Sequence, residues 1–173
     1  IKFENKNKNQ SDYPFFSLDP FVAGENVNRK INRLIQIMKK KKIDYTFISS
    51  GENICWLLNI RGRDLPNSPV ANCKMIITKD RKIYFFSNQN KIKKIKLSLQ
   101  KLKIYFFEEN KILNCLVRLK KGNFCIDGKT CSIFEESLIK YKFKIINRED
   151  PIYNLKSLKN KIEINNMVNA HID

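Results

Sequence analysis

The sequence predicts an α/β domain, a mixed β-sheet flanked by helices, with an extension at each end. Three observations predict it. Short apolar runs rich in Ile, Phe and Tyr alternate with segments whose apolar residues recur every three or four positions, the order that builds a layered sheet. Two of the short runs are joined by Lys79-Asp80-Arg81, the spacing of an antiparallel hairpin, so the sheet is not all parallel. A length of 173 residues, 42% of them apolar, suits one buried core and excludes a wholly disordered chain.

Each element follows in chain order. Residues 1–20 open with a polar run from Lys2 to Gln10, turn apolar at Tyr13-Pro14-Phe15-Phe16 and reach Pro20. Prolines favour extended backbone before them, so this stretch reads as an extended connector whose aromatics pack on the domain surface. From Val27 the positions Ile31, Leu34, Ile35 and Met38 form a helical stripe, with Asn26 as N-cap and Lys39 to Lys42 complementing the macrodipole of the last turn. Residues 43–49 read as a buried strand, and Ser50-Gly51-Glu52-Asn53 as punctuation. Residues 53–60 predict a short helical turn with an irregular approach to Arg61-Gly62. The hairpin joins strands at 73–78 and 82–87.

Residues 88–102 predict a helix with Ile92, Ile95, Leu99 and Leu102 on one stripe and lysines elsewhere. Such a basic amphipathic helix could lie on a membrane. With strands on both sides of it, the better reading is a sheet-covering helix with a wet cationic back. A strand at 103–107, a helix at 110–118, a strand at 123–127, a helix at 131–141 and a last strand at 143–147 complete the domain. Asp150-Pro151 breaks that strand. Asn160, with Glu163 three residues on, forms a capping-box pattern and opens a helix over 162–172. That helix starts well and lacks a stop signal, so the chain is expected to continue into a larger protein.

Composition excludes several functions. His171 is the lone histidine, so two-histidine metal sites and internal Ser-His-Asp or Cys-His machinery cannot be built from these residues. The five cysteines, Cys55, Cys73, Cys115, Cys125 and Cys131, form no CxxC pair and read as reduced, mostly buried thiols. No apolar run reaches the roughly 20 residues of a membrane span, and no cationic start leads into an apolar signal region, so a cytoplasmic protein is expected. A net charge of +17 raises nucleic acid as a partner. However, only seven of the 34 cations are arginine, the preferred bidentate reader of phosphates. Abundant Lys, Asn and Ile match an A/T-rich coding bias, so neither nucleic acid nor membrane is the expected partner.

The segment Trp56-Leu57-Leu58-Asn59-Ile60-Arg61-Gly62-Arg63-Asp64, followed by Pro66-Asn67-Ser68-Pro69-Val70, resembles the middle domain of three-domain Xaa-Pro aminopeptidases (aminopeptidase P) of the creatinase/prolidase-type superfamily. Phe15-Phe16-Ser17-Leu18-Asp19 with Ala23-Gly24 resembles the family's connector from its first domain. Asp150-Pro151-Ile152, Lys159-Asn160, Glu163, Ala170-His171 and Asp173 resemble its approach to the catalytic domain. The resemblance implies residues 1–24 as a connector, 25–149 as a creatinase/prolidase N-terminal-like non-catalytic domain, and 150–173 as the linker and first helix of a downstream catalytic domain. It implies a metal-dependent exopeptidase that removes the residue ahead of proline. Two divalent ions, manganese by expectation, would be held by two Asp, one His and two Glu beyond position 173, with no cofactor in the present residues. A homodimer and a peptide substrate with proline at its second position are further implications. His171 matches a helix position of the family, not a metal ligand.

Asn59, Arg61 and Asp64 are the candidate site residues. Arg61 and Asp64 are three apart, close enough for a local ion pair. The three could shape the interdomain edge of the active-site cleft and restrict it to short peptides, or form a buried network that pins the loop. Trp56 lies in the apolar run 54–58 and reads as core in preference to a substrate platform. Two other functions stay open: a stand-alone binding module of the same fold, and a basic nucleic-acid-binding protein.

Overall fold

A computed structural model describes residues 13–172. The polar run at the start and Asp173 lie outside the described residues. Phe16–Ser17 (β1) precedes one helical turn, Pro20–Ala23 (α1), which Asp19 caps by accepting from the Phe21 N–H at 2.8 Å. Gly24 ends that turn at φ +71°, a conformation that favours glycine. Of the aromatics expected on the surface, Tyr13 is exposed, but Phe15 is fully buried in the core. Val27–Lys40 (α2) follows, capped by Asn26 as predicted, with Ile31, Leu34, Ile35 and Met38 all buried.

Tyr45–Ile48 (β2) leads into Gly51–Leu58 (α3), two turns of helix where the sequence predicted one short turn. The punctuation at 50–53 marks a helix start and not a loop. Glycine is needed at position 51 because a Cβ there would lie 2.6 Å from the Ala71 carbonyl oxygen. Asn59 ends α3 at φ +51° and turns the chain into Ile60–Arg61 (β3). This approach is not irregular: β3 pairs antiparallel with β1, Phe16 opposite Arg61 and Ser17 opposite Ile60.

Lys74–Thr78 (β4) and Ile83–Phe86 (β5) form the predicted hairpin. Lys93–Ser98 (α4) is far shorter than the predicted helix. Asn88 accepts from the Asn90 N–H at 2.9 Å, a local turn that competes with helix, and Ile92 offers no capping side chain. The predicted stripe survives, because Ile92, Ile95 and Leu99 are buried all the same. Ile104–Phe107 (β6), Ile112–Arg118 (α5), Asn123–Ile126 (β7), Ile133–Lys140 (α6) and Lys144–Asn147 (β8) agree with expectation. Pro151–Ser157 (α7) was not predicted. Asp150-Pro151 ends a strand and also starts a helix, the Asp150 carboxylate accepting from the Ile152 N–H at 2.9 Å with proline at the first helical position. Lys161–Asn169 (α8) opens with the predicted capping box of Asn160 and Glu163.

The main sheet runs in the order β6-β5-β4-β2-β7-β8. Only β4 opposes the others; the β5–β6, β2–β7 and β7–β8 pairs are parallel. Alternation along each strand splits the core in two. Ile48, Met75, Ile77, Ile83, Phe85 and Cys125 pack with α2, α3, α4 and α7. Phe47, Ile76, Phe86, Phe124 and Ile126 pack with α5 and α6 on the other face. The five cysteines are free thiols, four of them buried. Among the described residues no helix is long and apolar enough to cross a membrane.

Candidate functional site

The site is assembled around a lysine that sits on an apolar stripe. Lys30 lies three residues after Val27 and four before Leu34, on the face of α2 that packs inward, and it is 1% exposed. A buried ammonium must be partnered. Its Nζ donates to the Asn59 side-chain oxygen at 2.7 Å and to the Trp56 carbonyl at 2.9 Å, and stands 4.2 Å from the Trp56 ring centroid. The Trp56 carbonyl belongs to the last turn of α3, where orphan oxygens and the macrodipole both favour a cation. Burial pushes the Lys30 ammonium down from 10.5 to about 8, against a smaller upward pull from Glu163 and Glu25.

Asn59 links three elements. Asparagine tolerates the left-handed conformation that ends α3. Its side-chain oxygen accepts from Lys30 while its amide donates to the Glu25 carbonyl at 2.8 Å. The Glu25 carboxylate pairs with Arg33 at 2.6 Å, and the Arg33 guanidinium stands 5.7 Å from the Trp56 ring centroid. Trp56 is therefore only half-buried, packed against the core and bracketed by cations. Its indole N–H donates to Glu163 at 3.1 Å.

Glu163 closes the arrangement from α8. One carboxylate oxygen accepts from Trp56 and the other from the Asn160 N–H at 2.9 Å. Asn160 also donates to the Ala23 carbonyl at 2.9 Å, and its side chain fills the space that a Cβ at Gly24 would need. The polar side of α8 thus faces α1 and α3. A cleft of about 340 Å³ remains between them, lined in part by Lys30, Trp56, Asn59, Arg61, Glu163 and Met167.

Of the three predicted residues, the structure brings Asn59 and Arg61 to this cleft. Arg61 donates through Nη1 to the carbonyls of Ile60 at 2.8 Å and Cys55 at 3.2 Å. Asp64 is not part of its lining. One Asp64 oxygen pairs with Lys91 at 2.7 Å, both side chains only 6% exposed, and the other accepts from the Asn72 N–H at 2.7 Å. Arg61 and Asp64 thus take different partners. Sequence reasoning did not group Lys30 with this site, although a lysine inside a helical apolar stripe is a visible signal. Glu163 was visible only as a cap. His171 is exposed just after α8, its Nδ1 within 2.6 Å of the Met167 carbonyl. Among the described residues no three His, Cys, Asp or Glu side chains gather where they could hold a metal ion.

The profile of the Creatinase/Prolidase N-terminal domain matches residues 6–163, nearly the whole chain. The chain belongs to this family. Among curated relatives, the probable Xaa-Pro aminopeptidase P of Laccaria bicolor is 27% identical over 162 residues, 91% of this chain and 25% of that protein. Xaa-Pro aminopeptidase 1 of Dictyostelium discoideum is 28% identical over 166 residues, 93% of this chain and 26% of that protein. A solved X-prolyl aminopeptidase from Caenorhabditis elegans, a cytosolic enzyme with a di-nuclear active site, superposes with a TM-score of 0.81. It is 21% identical and covers 92% of this chain and 27% of that one. Prolidase from Pyrococcus furiosus gives a TM-score of 0.53 at 22% identity over 76% of this chain and 36% of that one. This creatinase/prolidase N-terminal domain spans about a quarter of the length of the curated relatives it matches. In it the Trp-Leu-Leu-Asn-Ile-Arg segment is the end of α3 and the start of β3, and three of its residues, Trp56, Asn59 and Arg61, line the cleft.

Proposed function

We propose that this chain is the non-catalytic lobe of a metal-dependent Xaa-Pro aminopeptidase, an exopeptidase that removes the N-terminal residue ahead of proline. One observation carries the reading: the chain matches such proteins over about nine-tenths of its own length while spanning about a quarter of theirs. Residues 1–24 then connect from an upstream domain, 25–149 form the lobe, and 150–173 lead into the catalytic domain. The lobe supports interdomain packing, dimerisation and access to the active site in a cytoplasmic homodimer. Neither nucleic acid nor membrane takes part.

A bond to proline is a tertiary amide with no N–H and a fixed φ, so an enzyme for it must recognise shape and carbonyl in place of that donor. Two divalent ions, manganese by expectation, would supply an activated water and charge stabilisation. Among the described residues no donor set fits them, so the ions are assigned to the downstream catalytic domain and no step is assigned to residues here. Within the lobe, Asn59 with Lys30 and Asp64 with Lys91 pin the 59–64 loop, and Arg61 shapes the cleft edge.

The test uses the natural full-length chain containing this sequence, loaded with manganese. It should release the first residue from a tripeptide with proline second and leave the same tripeptide with alanine second intact. The 173-residue chain alone should cleave neither. Cleavage by the short chain, or no proline preference in the long one, overturns the reading, and no cleavage by either chain favours the stand-alone binding module.

A further inference from the structure

We propose that the cleft beside Trp56 accepts a carboxylate carried on an apolar group, of the kind found at the C-terminus of a peptide ending in an aliphatic residue. The assignment stands apart from the aminopeptidase reading and concerns this chain's own residues. Arg61 is the first ground. Its Nη1 is committed to the Ile60 and Cys55 carbonyls, which fixes the guanidinium at the cleft wall. Among the described residues its Nε and Nη2 have no hydrogen-bond partner. A fixed planar fork with donors to spare is matched by the two oxygens of a carboxylate.

Charge is the second ground. Lys30 and Lys159 share the lining with Arg61, and Glu163 is the one carboxylate among them. Glu163 accepts from Trp56 and the Asn160 N–H, and its single charge offsets only one of the three cations. Its presence selects against a dianion and leaves room for a single negative charge. Shape is the third ground. The Trp56 ring, Val22 and Met167 supply an apolar wall beside the cations, and about 340 Å³ holds one amino-acid residue.

Trp56 is the only tryptophan in the chain, so its fluorescence reports on this cleft alone. The probes are N-acetyl-leucine, its uncharged amide and inorganic phosphate, each titrated into the 173-residue chain at matched ionic strength. The acid should give a saturable change with a Kd on the order of 1–10 mM, and the amide and phosphate should bind at least about tenfold more weakly. Met167→Glu puts a carboxylate at the cleft wall, keeps a good helix former in α8 and spares the Arg61 hydrogen bonds. It should weaken the acid at least about tenfold while the circular-dichroism melt is retained. Arg61→Lys, which exchanges the fork for a point charge, should weaken it as well. Equal responses to acid and amide, a stronger response to phosphate, unchanged binding in Met167→Glu, or no response to about 50 mM acid would each overturn the assignment.

Discussion

Replacing Lys30 by methionine keeps the apolar stem and removes the head that satisfies Asn59 and the Trp56 carbonyl. The buried Asn59 oxygen is then left without that donor, while the Trp56 carbonyl keeps only a long contact of 3.5 Å from the Asn59 N–H, and Lys30→Met should cost about 2–4 kcal/mol, read as a fall in urea midpoint. The wild-type protein has a pH signature as well. Burial lowers the Lys30 pKa from 10.5 to about 8, so between those values the unfolded chain holds a proton that the folded chain has released. Stability from this group therefore rises as pH climbs through that window and is lowest below it. The wild-type midpoint minus that of Lys30→Met should climb across the same range; a flat or falling difference would show that Lys30 is not held in a dry site. At Arg61 the question is cleft or scaffold. In the proposed full-length enzyme, Arg61→Ala should leave the melting temperature within a few degrees and lower kcat/KM, because the Cys55 carbonyl still accepts from the Asn59 N–H while the lost head lines the cleft. A large loss of melting temperature with normal kinetics would make it scaffold. Asn59, Arg61 and Asp64 were named together from their motif, and the structure brings only the first two to the cleft. The partners of Asn59 and Asp64 were not legible in the sequence, because Lys30 lies 29 residues from Asn59 and Lys91 27 from Asp64, and only the fold joins them.

Helix α8 depends on Asn160 at its first turn. That side chain accepts from the N–H groups of Ile162 and Glu163 and also donates to the Ala23 carbonyl. Asn160→Ala should cost about 1–2 kcal/mol and act locally, loosening α8 from α1. Amide exchange over 161–169 should then rise with little change in the central strands; unchanged exchange in α8 would argue that Glu163 alone holds it. The pair of Lys91 with Asp64 does comparable work for the loop after β3. Lys91→Met takes the cation away from a carboxylate that is 6% exposed and should cost roughly 3–5 kcal/mol, the largest loss among the single changes considered. Strands and long-period helices were readable because their signals are local: the stripe of α2 and the alternation in β4 and β5 appear within a dozen residues. Where local signals conflict, reading failed. Asn88 and Asn90 turn a predicted long helix into the six residues of α4, and Asp150-Pro151 serves both to end β8 and to begin α7.

Across the molecule, the two-sided sheet leaves little chemistry open to solvent. Burial pushes the Cys115 and Cys131 thiols up to about 12 and Cys125 up to about 11, and it raises Cys55 and Cys73 as well. At about pH 7.5 the native protein should therefore react slowly with a thiol reagent, Cys131 first because it alone is not fully buried, and all five should react in denaturant. Rapid labelling of a second cysteine in the native state would mean that the packing between sheet and helices opens readily. The layered architecture was foreseeable at this scale because one hairpin among alternating elements dictates a mixed sheet. The placement of α8 was not, since its cap says where it starts and nothing about what it leans on. Its orientation is inverted for a surface helix: Glu163 and Asn160 turn inward, while Ile164, Met167, Val168 and Ile172 are each about half exposed or more. Ile164, Val168 and, just past α8, Ile172 fall at four-residue steps with Met167 beside them, which makes an adhesive strip. In concentrated solution the strip would draw molecules into pairs, and added detergent would part them again.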